Sequence, residues 1–116
     1  MVQGRLREVL ERGAGVGAFD TPDARLGRAE HPVCGDRVQL SVRVADGRVL
    51  GVRWQAAGCP ATMALAALCA EALVDVPFDA LDAALRAAIA AHGGLQRAEH
   101  HAEAMLLRAL HAAVGA

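Results

Sequence analysis

The sequence predicts an α+β domain in which a small antiparallel sheet packs against helices. Apolar side chains at every second position of residues 38–44 indicate a half-buried strand, and residues 48–55 form a returning strand after an Ala-Asp-Gly turn. From residue 60 onward the apolar spacing changes to that of helices. Strands followed by helices, without alternation of the two, are typical of α+β proteins. We therefore expect a hairpin, which a third strand could extend, packed against helices.

The other elements follow from apolar spacing and from residues that start or stop helices. A short amphipathic helix is predicted up to Gly13, and residues 13–32 are predicted to form an irregular loop of about twenty residues. Three helices are predicted after the hairpin, beginning near Pro60, Pro77 and residue 96. The buried faces expected for the last two comprise Leu81, Leu85 and Ile89, and then Ala102, Met105, Leu106, Ala109, Leu110 and Ala113.

Size and charge restrict the classes of function. The 116 residues are expected to form one domain, residues 1–116. A net charge of -1 with scattered arginines provides no basic surface for nucleic acid or an anionic membrane. The N-terminal residues are unlike a signal peptide, and no run approaches the roughly 20 apolar residues of a membrane span. We expect a soluble cytoplasmic protein with no nucleic-acid or membrane partner.

Two cysteines and an aspartate lie at the ends of the predicted hairpin. Cys34 precedes its first strand and Cys59 follows its second, so antiparallel pairing is expected to make them neighbours. Cys59 also begins a predicted helix, whose N-terminus stabilises the thiolate that binds metal. Asp36 adds a carboxylate beside Cys34. Three cysteines in a reducing compartment favour ligands or free thiols over a disulfide framework.

A fourth ligand is predicted from the start of the last helix. His100 and His101 lie there, and imidazole suits zinc and iron alike. His101 is expected to point inward because it borders the apolar face at Ala102, whereas His100 is expected on the solvated side. The predicted tetrahedral set is Cys34, Asp36, Cys59 and His101.

Simpler roles compete with this interpretation. A lone cysteine is most often a small buried hydrophobe, which is the role expected for Cys69 within the first long helix. Asp36 could be only a turn residue after Gly35. A thiol enzyme is the weaker hypothesis, since a neighbouring carboxylate opposes ionisation of a thiol. The residues expected at the surface are His31, His92 and His111.

The same residues resemble a known family. The stretch GVGAFDTPDARLGRAEHPVCGDRVQLSVRV (residues 15–44), with Cys-Gly-Asp at 34–36, is similar to the iron-sulfur cluster assembly scaffolds of the IscU, NifU and SufU type. The stretch DGRVLGVRWQAAGCPATMALAALCAEAL (residues 46–73), with Gly-Cys at 58–59 and Glu71 in the following helix, is similar as well. The resemblance runs from about residue 6 to the C-terminus and is weakest between residues 74 and 97.

The resemblance implies a scaffold rather than an enzyme. Such proteins receive iron, and sulfur as persulfide from a cysteine desulfurase. They build a [2Fe-2S] cluster on three cysteines with an aspartate nearby and pass it to acceptor apo-proteins. Isolated members often hold Zn²⁺ at the same site. Matched by motif, Cys34, Asp36 and Cys59 take the positions of the first cysteine, the aspartate and the second cysteine.

The chain departs from the family pattern in two places. The third cysteine is replaced by Ala102, which places His101 on the preceding histidine, or by His101 itself under a one-residue slip. Sulfur acceptance would then move to Cys34 or Cys59, or fail. The remaining ligands could hold Zn²⁺, Fe²⁺ or a [2Fe-2S] cluster of mixed ligation. The family's LPPVK motif is replaced by LQRAE at 95–99, so the Hsp70-type chaperone that recognises it is not expected as a partner.

Two functions follow from the resemblance. The first is an assembly scaffold that binds iron, zinc or a labile [2Fe-2S] cluster, with the loop from Gly15 to His31 covering the site and helping to dock the desulfurase. The alternative is a divergent member that assembles nothing and docks on a cysteine desulfurase as a modulator, with structural zinc or no metal.

Overall fold

The structure is a computed structural model that describes residues 5–33 and 35–115. Within these residues three strands form one antiparallel sheet in which their spatial order follows the chain, which confirms the predicted α+β class. None of the helices in this part of the chain is long and apolar enough to cross a membrane. The elements are α1 (Arg5–Arg12), β1 (Ala24–Glu30), β2 (Arg37–Ala45), β3 (Arg48–Ala57), α2 (Pro60–Ala72), α3 (Leu81–Ala91) and α4 (His100–Val114).

Strands β2 and β3 form the predicted hairpin. Its turn is Asp46-Gly47, with φ of 52° and 73°, the left-handed backbone that two-residue hairpin turns favour. The register pairs Leu40 with Trp54 and Val42 with Val52. The apolar side chains of both strands therefore share the inner face of the sheet, where the helices pack.

The prediction of an irregular loop was wrong for residues 24–30, which form β1. This strand pairs with β2 from Ala24 opposite Arg43 to Glu30 opposite Arg37. Its inner positions carry only Gly27 and Ala29, while Leu26 faces outward with 54% of its surface exposed. The apolar alternation that identifies a half-buried strand is therefore missing from β1, and the sheet gains its third strand.

The segment before β1 lies along the edge of β3. The backbone N–H of Trp54 donates to the carbonyl of Gly15, and the N–H of Gly17 donates to the carbonyl of Trp54, both at 2.8 Å. The Trp54 indole N–H also donates to the carbonyl of Ala14 at 2.7 Å. This part of the predicted loop is therefore fixed against the sheet.

Phe19 covers part of the outer face of the sheet. Its ring lies against Gly51, with the Arg53 guanidinium carbon 4.8 Å from the ring centroid. Its backbone N–H donates to the hydroxyl of Ser41 at 3.0 Å. The alternation of side chains predicts that Ser41 lies on the outer face of the sheet. Ser41 is nevertheless buried, because the segment that contains Phe19 lies over it.

The helices form a layer rich in alanine on the inner face. α2 begins at Pro60, as predicted, because the first helical position needs no backbone N–H. α3 and α4 each follow a single 3₁₀ turn, at Phe78–Ala80 and Arg97–Glu99. The predicted buried faces are confirmed, since every residue predicted for them is buried: Leu81, Leu85, Ile89, Ala102, Met105, Leu106, Ala109, Leu110 and Ala113.

Gly27 permits the close approach of α4 to β1. A Cβ at this position would overlap the backbone carbonyl oxygen of Ala109 and lie 2.7 Å from the backbone nitrogen of Ala113. Both are main-chain atoms of a helix, which cannot shift without moving the whole helix. The absence of a side chain at Gly27 therefore sets the distance between α4 and the sheet.

We predict that Gly27→Ala lowers the free energy of unfolding by about 1–3 kcal/mol, because an added methyl group in this contact forces α4 away from β1. Urea unfolding measures the loss. The matched control is Gly51→Ala, where the nearest atoms belong to the Phe19 ring, a side chain that can move. The control should change stability by about 0.5 kcal/mol or less. Equal stability of Gly27→Ala and the wild type would contradict this account of the packing.

Candidate metal centre at the end of the sheet

Three potential ligands converge where three elements begin. Asp36 immediately precedes β2, Cys59 is the N-cap residue of α2, and His101 lies in the first turn of α4. One ligand atom from each residue lies within 4.8 Å of the other two. Residues far apart in the sequence thus form one cluster of oxygen, sulfur and nitrogen donors.

Cys34, the fourth predicted ligand, lies outside the described residues. Its place beside Cys59 and its role therefore remain predictions. Its described neighbours are hydrogen-bonded: the N–H of His31 donates to the carbonyl of Asp36, and the N–H of Gly35 donates to the carbonyl of His31, both at 2.8 Å. The first of these bonds extends the pairing of β1 and β2 by one residue pair, up to the site.

The Asp36 carboxylate is the centre of the hydrogen-bond network. Only 3% of Asp36 is exposed, and its Oδ1 accepts the backbone N–H of Cys59 at 3.2 Å. Its Oδ2 accepts the Thr62 hydroxyl at 3.0 Å and lies 3.0 Å from Nε2 of His101. Burial by itself would raise the pKa of Asp36, but hydrogen bonds from Cys59, His101 and Thr62 outweigh it and lower that pKa below its ordinary value. Asp36 is therefore more than a turn residue.

Gly58 makes room for this carboxylate. Its φ of 135° is a conformation that residues with a side chain rarely adopt. A Cβ there would overlap Oδ1 of Asp36 and lie 2.8 Å from its Cα. The Gly-Cys pair at 58–59 thus has a physical role: glycine admits the carboxylate, and the next residue supplies the thiol.

The Cys59 thiol sits between a hydroxyl and an imidazole. Its Sγ lies 3.4 Å from Oγ1 of Thr62 and 3.6 Å from Nε2 of His101. Cys59 as a residue is partly exposed. The thiolate is the form of cysteine that binds metal ions.

The hydrogen bonds of His101 determine which nitrogen faces the site. Its Nδ1 lies 3.1 Å from the carbonyl oxygen of Ala98, which can only accept, so we assign the ring proton to Nδ1. Nε2 then faces the Asp36 carboxylate and the Cys59 sulfur, two electron-rich groups. This arrangement is favourable when a cation lies among the three groups. His100 is exposed, and Ala102 is fully buried.

The chemistry of these donors fits zinc or iron. Thiolate, imidazole and carboxylate are the ligands that zinc takes in proteins, and thiolate and imidazole also hold iron in iron-sulfur clusters. The bond from Nδ1 of His101 to a backbone carbonyl is the usual outer contact of a metal-binding histidine, since it fixes the ring and leaves Nε2 for the metal. We therefore regard the cluster as a candidate metal centre.

Cys69 lies apart from this chemistry. It is fully buried within α2, and burial raises its pKa to about 12. This confirms the expectation of a small buried hydrophobe. Glu71, noted in the sequence comparison, uses both carboxylate oxygens to accept hydrogen bonds from Arg12 at 2.8 and 3.0 Å, which joins α2 to α1.

Thr62 was not predicted as part of the site, and the three histidines expected at the surface are only partly exposed. Thr62 lies three residues after Cys59, so the first turn of a helix brings the two side chains together, which the spacing alone could have indicated. His31 is partly buried, with its ring centroid 4.9 Å from that of His101. The other two are also partly buried, and they bond to Ala88 (His92) and to Asp82 (His111).

Comparison with known proteins relates this chain to one family. The family model described as NifU-like N terminal domain matches residues 5–116. Two curated relatives from Archaeoglobus fulgidus, the iron-sulfur cluster assembly scaffold proteins IscU 1 and IscU 2, are each 29% identical to the chain over 100 residues. These matches cover 85% of this chain and 65% of each relative, so the chain spans less than two thirds of their length.

Solved structures share the fold. The N-terminal part of a nitrogen-fixing NifU-like protein from Brucella abortus aligns with a TM-score of 0.64 and 20% identity, covering 96% of this chain and 82% of that one. A protein from Fervidobacterium islandicum AW-1, described as an iron-sulfur cluster assembly scaffold for the SUF system, aligns with a TM-score of 0.64 and 13% identity. That match covers 97% of this chain and 88% of the other.

We predict that the two described cysteines differ sharply in reactivity. In the Cys34→Ser variant, which leaves only Cys59 and Cys69, a water-soluble thiol reagent should titrate one thiol in the folded protein and two in concentrated guanidinium. The reason is that Cys69 is buried with a raised pKa, whereas Cys59 is partly exposed. Rapid reaction of both thiols in the folded protein would contradict the structure.

A second prediction concerns the Thr62 hydroxyl, which donates to a buried carboxylate. Thr62→Val keeps the shape of the side chain and removes the donor, so we expect a loss of about 1.5–3 kcal/mol in the free energy of unfolding. Urea unfolding of metal-free protein tests this. Thr21→Val is the control, since its hydroxyl bonds Asp23 at an exposed position and should contribute about 0.5 kcal/mol or less. Equal losses in the two variants would contradict the role given to Thr62.

Proposed function

The chain belongs to the NifU-like N-terminal domain family, and from this membership we propose that it is an iron-sulfur cluster assembly scaffold carrying iron, zinc or a labile [2Fe-2S] cluster as cargo. The cargo would be held at the candidate metal centre. We assign no catalytic residue, because the proposed role is to bind and transfer. The proposed ligands are Cys34, Asp36, Cys59 and His101.

The observation that carries the proposal is the convergence of Asp36, Cys59 and His101, whose ligand atoms lie within 4.8 Å of one another. The two motifs that match the family, Cys-Gly-Asp and Gly-Cys, supply two of these three donors. A family resemblance and a donor cluster thus support the same role. Since the chain spans only part of the length of its curated relatives, residues 1–116 are proposed as one scaffold domain, and the activity of the whole relatives is not assumed.

The mixed set of proposed ligands suits a metal ion or cluster that must be released to an acceptor. Sulfur from two thiolates would give affinity for iron, while a carboxylate and an imidazole replace the remaining thiolates of a fully cysteine-bound cluster. A scaffold needs affinity sufficient to collect its cargo and weak enough to release it to an acceptor. The partial exposure of Cys59 supports transfer, because an acceptor's ligands can approach the metal from outside.

The proposed partners are a cysteine desulfurase, which would supply sulfur, and acceptor apo-proteins. The Hsp70-type chaperone is not among them. Residues 97–99 form a 3₁₀ turn closed by a capping box, in which the Glu99 carboxylate accepts the backbone N–H of Gln96 at 2.9 Å and is itself buried. This compact turn differs from the family's LPPVK motif in sequence, and its Glu99 side chain is not available at the surface.

One observation favours the alternative function. Position 102, matched to the family's third cysteine, is a fully buried alanine, so the centre has one thiol fewer than the family pattern. A chain of this kind could dock on a cysteine desulfurase as a modulator, with structural zinc or no metal. The two functions differ in whether the site takes up sulfide together with iron.

We predict that protein purified without oxygen and reconstituted with iron and sulfide contains both and shows visible charge-transfer absorption. Cys59→Ser and Cys34→Ser should each lose most of the sulfide, because each removes a proposed thiolate ligand. Cys69→Ala is the control and should retain the cargo, since Cys69 is buried away from the ligand group. Metal analysis, acid-labile sulfide and absorption spectra provide the measurements.

Other outcomes would change the proposal. Zinc bound at about one ion per chain, with no uptake of sulfide, would favour the docking modulator over the scaffold. Absence of any metal from the wild type after reconstitution would refute the proposed metal centre. Equal loss of cargo in Cys69→Ala would show that the effect is one of folding and not of ligation.

A further inference from the structure

We propose that His31 is an additional ligand of the metal centre, supplying a second imidazole beside His101. This inference rests on the proposed function, because it assumes that the centre binds a metal ion. His31 lies outside the Cys-Gly-Asp and Gly-Cys motifs that match the family. Its direction follows from the alternation of side chains along β1, a strand that the sequence did not predict. The geometry that supports it has three parts: the side of the sheet, the backbone pairing and the ring contact.

Strand alternation directs His31 to the side of the sheet that carries the site. Side chains two residues apart share a face, and the inner positions of β1 are Gly27 and Ala29, so the next inner position is residue 31. On β2 the same reasoning joins Asp36 to the buried Val38. His31 and Asp36 therefore both face the layer that contains the first turn of α4.

The backbone fixes His31 opposite Asp36. The His31 N–H donates to the Asp36 carbonyl at 2.8 Å, one position beyond the last regular pair of β1 and β2, Glu30 and Arg37. Residues directly opposite each other in an antiparallel pair have Cβ atoms about 4.5–5.5 Å apart. An imidazole at this position lies within reach of a metal ion bound to the Asp36 carboxylate.

The two imidazoles already touch. The His31 and His101 ring centroids are 4.9 Å apart, with the ring planes at 63° in an edge-on contact. Both nitrogens of His101 are engaged, Nδ1 with the Ala98 carbonyl and Nε2 with the Asp36 and Cys59 side chains. His31 is therefore not the residue that orients His101, and its ring lies beside an imidazole whose Nε2 faces the site.

A second imidazole would alter the chemistry of the centre. The described donors supply one oxygen, one sulfur and one nitrogen, which is one ligand short of the four that zinc usually takes. His31 adds a donor to these three, beside the proposed ligand Cys34. If Cys34 binds as well, five donors serve a four-coordinate ion, and one ligand can be exchanged without emptying the site.

Titration with Co²⁺, a coloured substitute for zinc, tests the proposal on the full chain under reducing conditions. The variants are His31→Ala, His31→Phe, Cys34→Ser and, as a matched control, His100→Ala, which removes an exposed imidazole next to His101. His31→Phe retains an aromatic ring for packing and lacks the nitrogen. The readouts are the dissociation constant by chelator competition, the Co²⁺ d–d bands, which report coordination, and the thiolate-to-Co²⁺ absorption, which reports sulfur ligands.

We expect His31→Ala and His31→Phe each to weaken Co²⁺ binding about tenfold or more and to change the d–d bands, as loss of a metal-site residue does. Their thiolate absorption should remain, whereas Cys34→Ser should lose part of it. His100→Ala should match the wild type. Wild-type affinity and spectra in His31→Phe would overturn the inference, since packing alone would then explain the ring contact. If the wild type binds no Co²⁺, the proposed metal centre itself fails, which is a different result from an unaffected His31 variant.

Discussion

A buried carboxylate holds this end of the molecule together. Asp36 is almost fully enclosed, and an ionised carboxylate in such a place is stable only when hydrogen bonds replace the lost water. The start of α2 supplies two of those bonds, from the backbone of Cys59 and the hydroxyl of Thr62, and α4 places His101 against the same oxygen as Thr62. The positions of the Cys59 thiol and the His101 imidazole therefore follow from the hydrogen bonds that the buried Asp36 carboxylate requires.

Small residues make that arrangement possible. Gly58 leaves room for the carboxylate, and Gly27 lets the backbone of α4 approach β1. The interior of α2 is largely alanine, so the helical layer is thin and lies close to the sheet. An interior with larger side chains would separate the layers and move the first turn of α4 away from Asp36. The alanine-rich composition thus serves the geometry of the site as well as the packing.

The sequence predicted most of the fold and missed the elements with weak patterns. The hairpin and the helices were recognised because leucine and valine recur at regular spacing, but β1 was not, since Gly27 and Ala29 occupy its inner positions. That omission also hid His31, whose direction is evident only when residues 24–30 are known to alternate. Asp36, Cys59 and His101 could be proposed from motifs and spacing, and helical spacing could also have placed Thr62 beside Cys59. The bond from Thr62 to Asp36 and the close approach of Gly58 depend on distances that the sequence does not contain.

The three described donors come from separate elements: Asp36 and Cys59 are 23 positions apart in the sequence, and Cys59 and His101 are 42 positions apart. An ion bound to all three would act as a reversible crosslink between the sheet and two helices. Binding to the folded state alone adds stability by mass action, and departure of the ion removes it. A chain with a bound ion would thus be stiffer than an empty one. A partner that binds only the stiffer form of this end could distinguish a chain that still holds its ion from one that has released it.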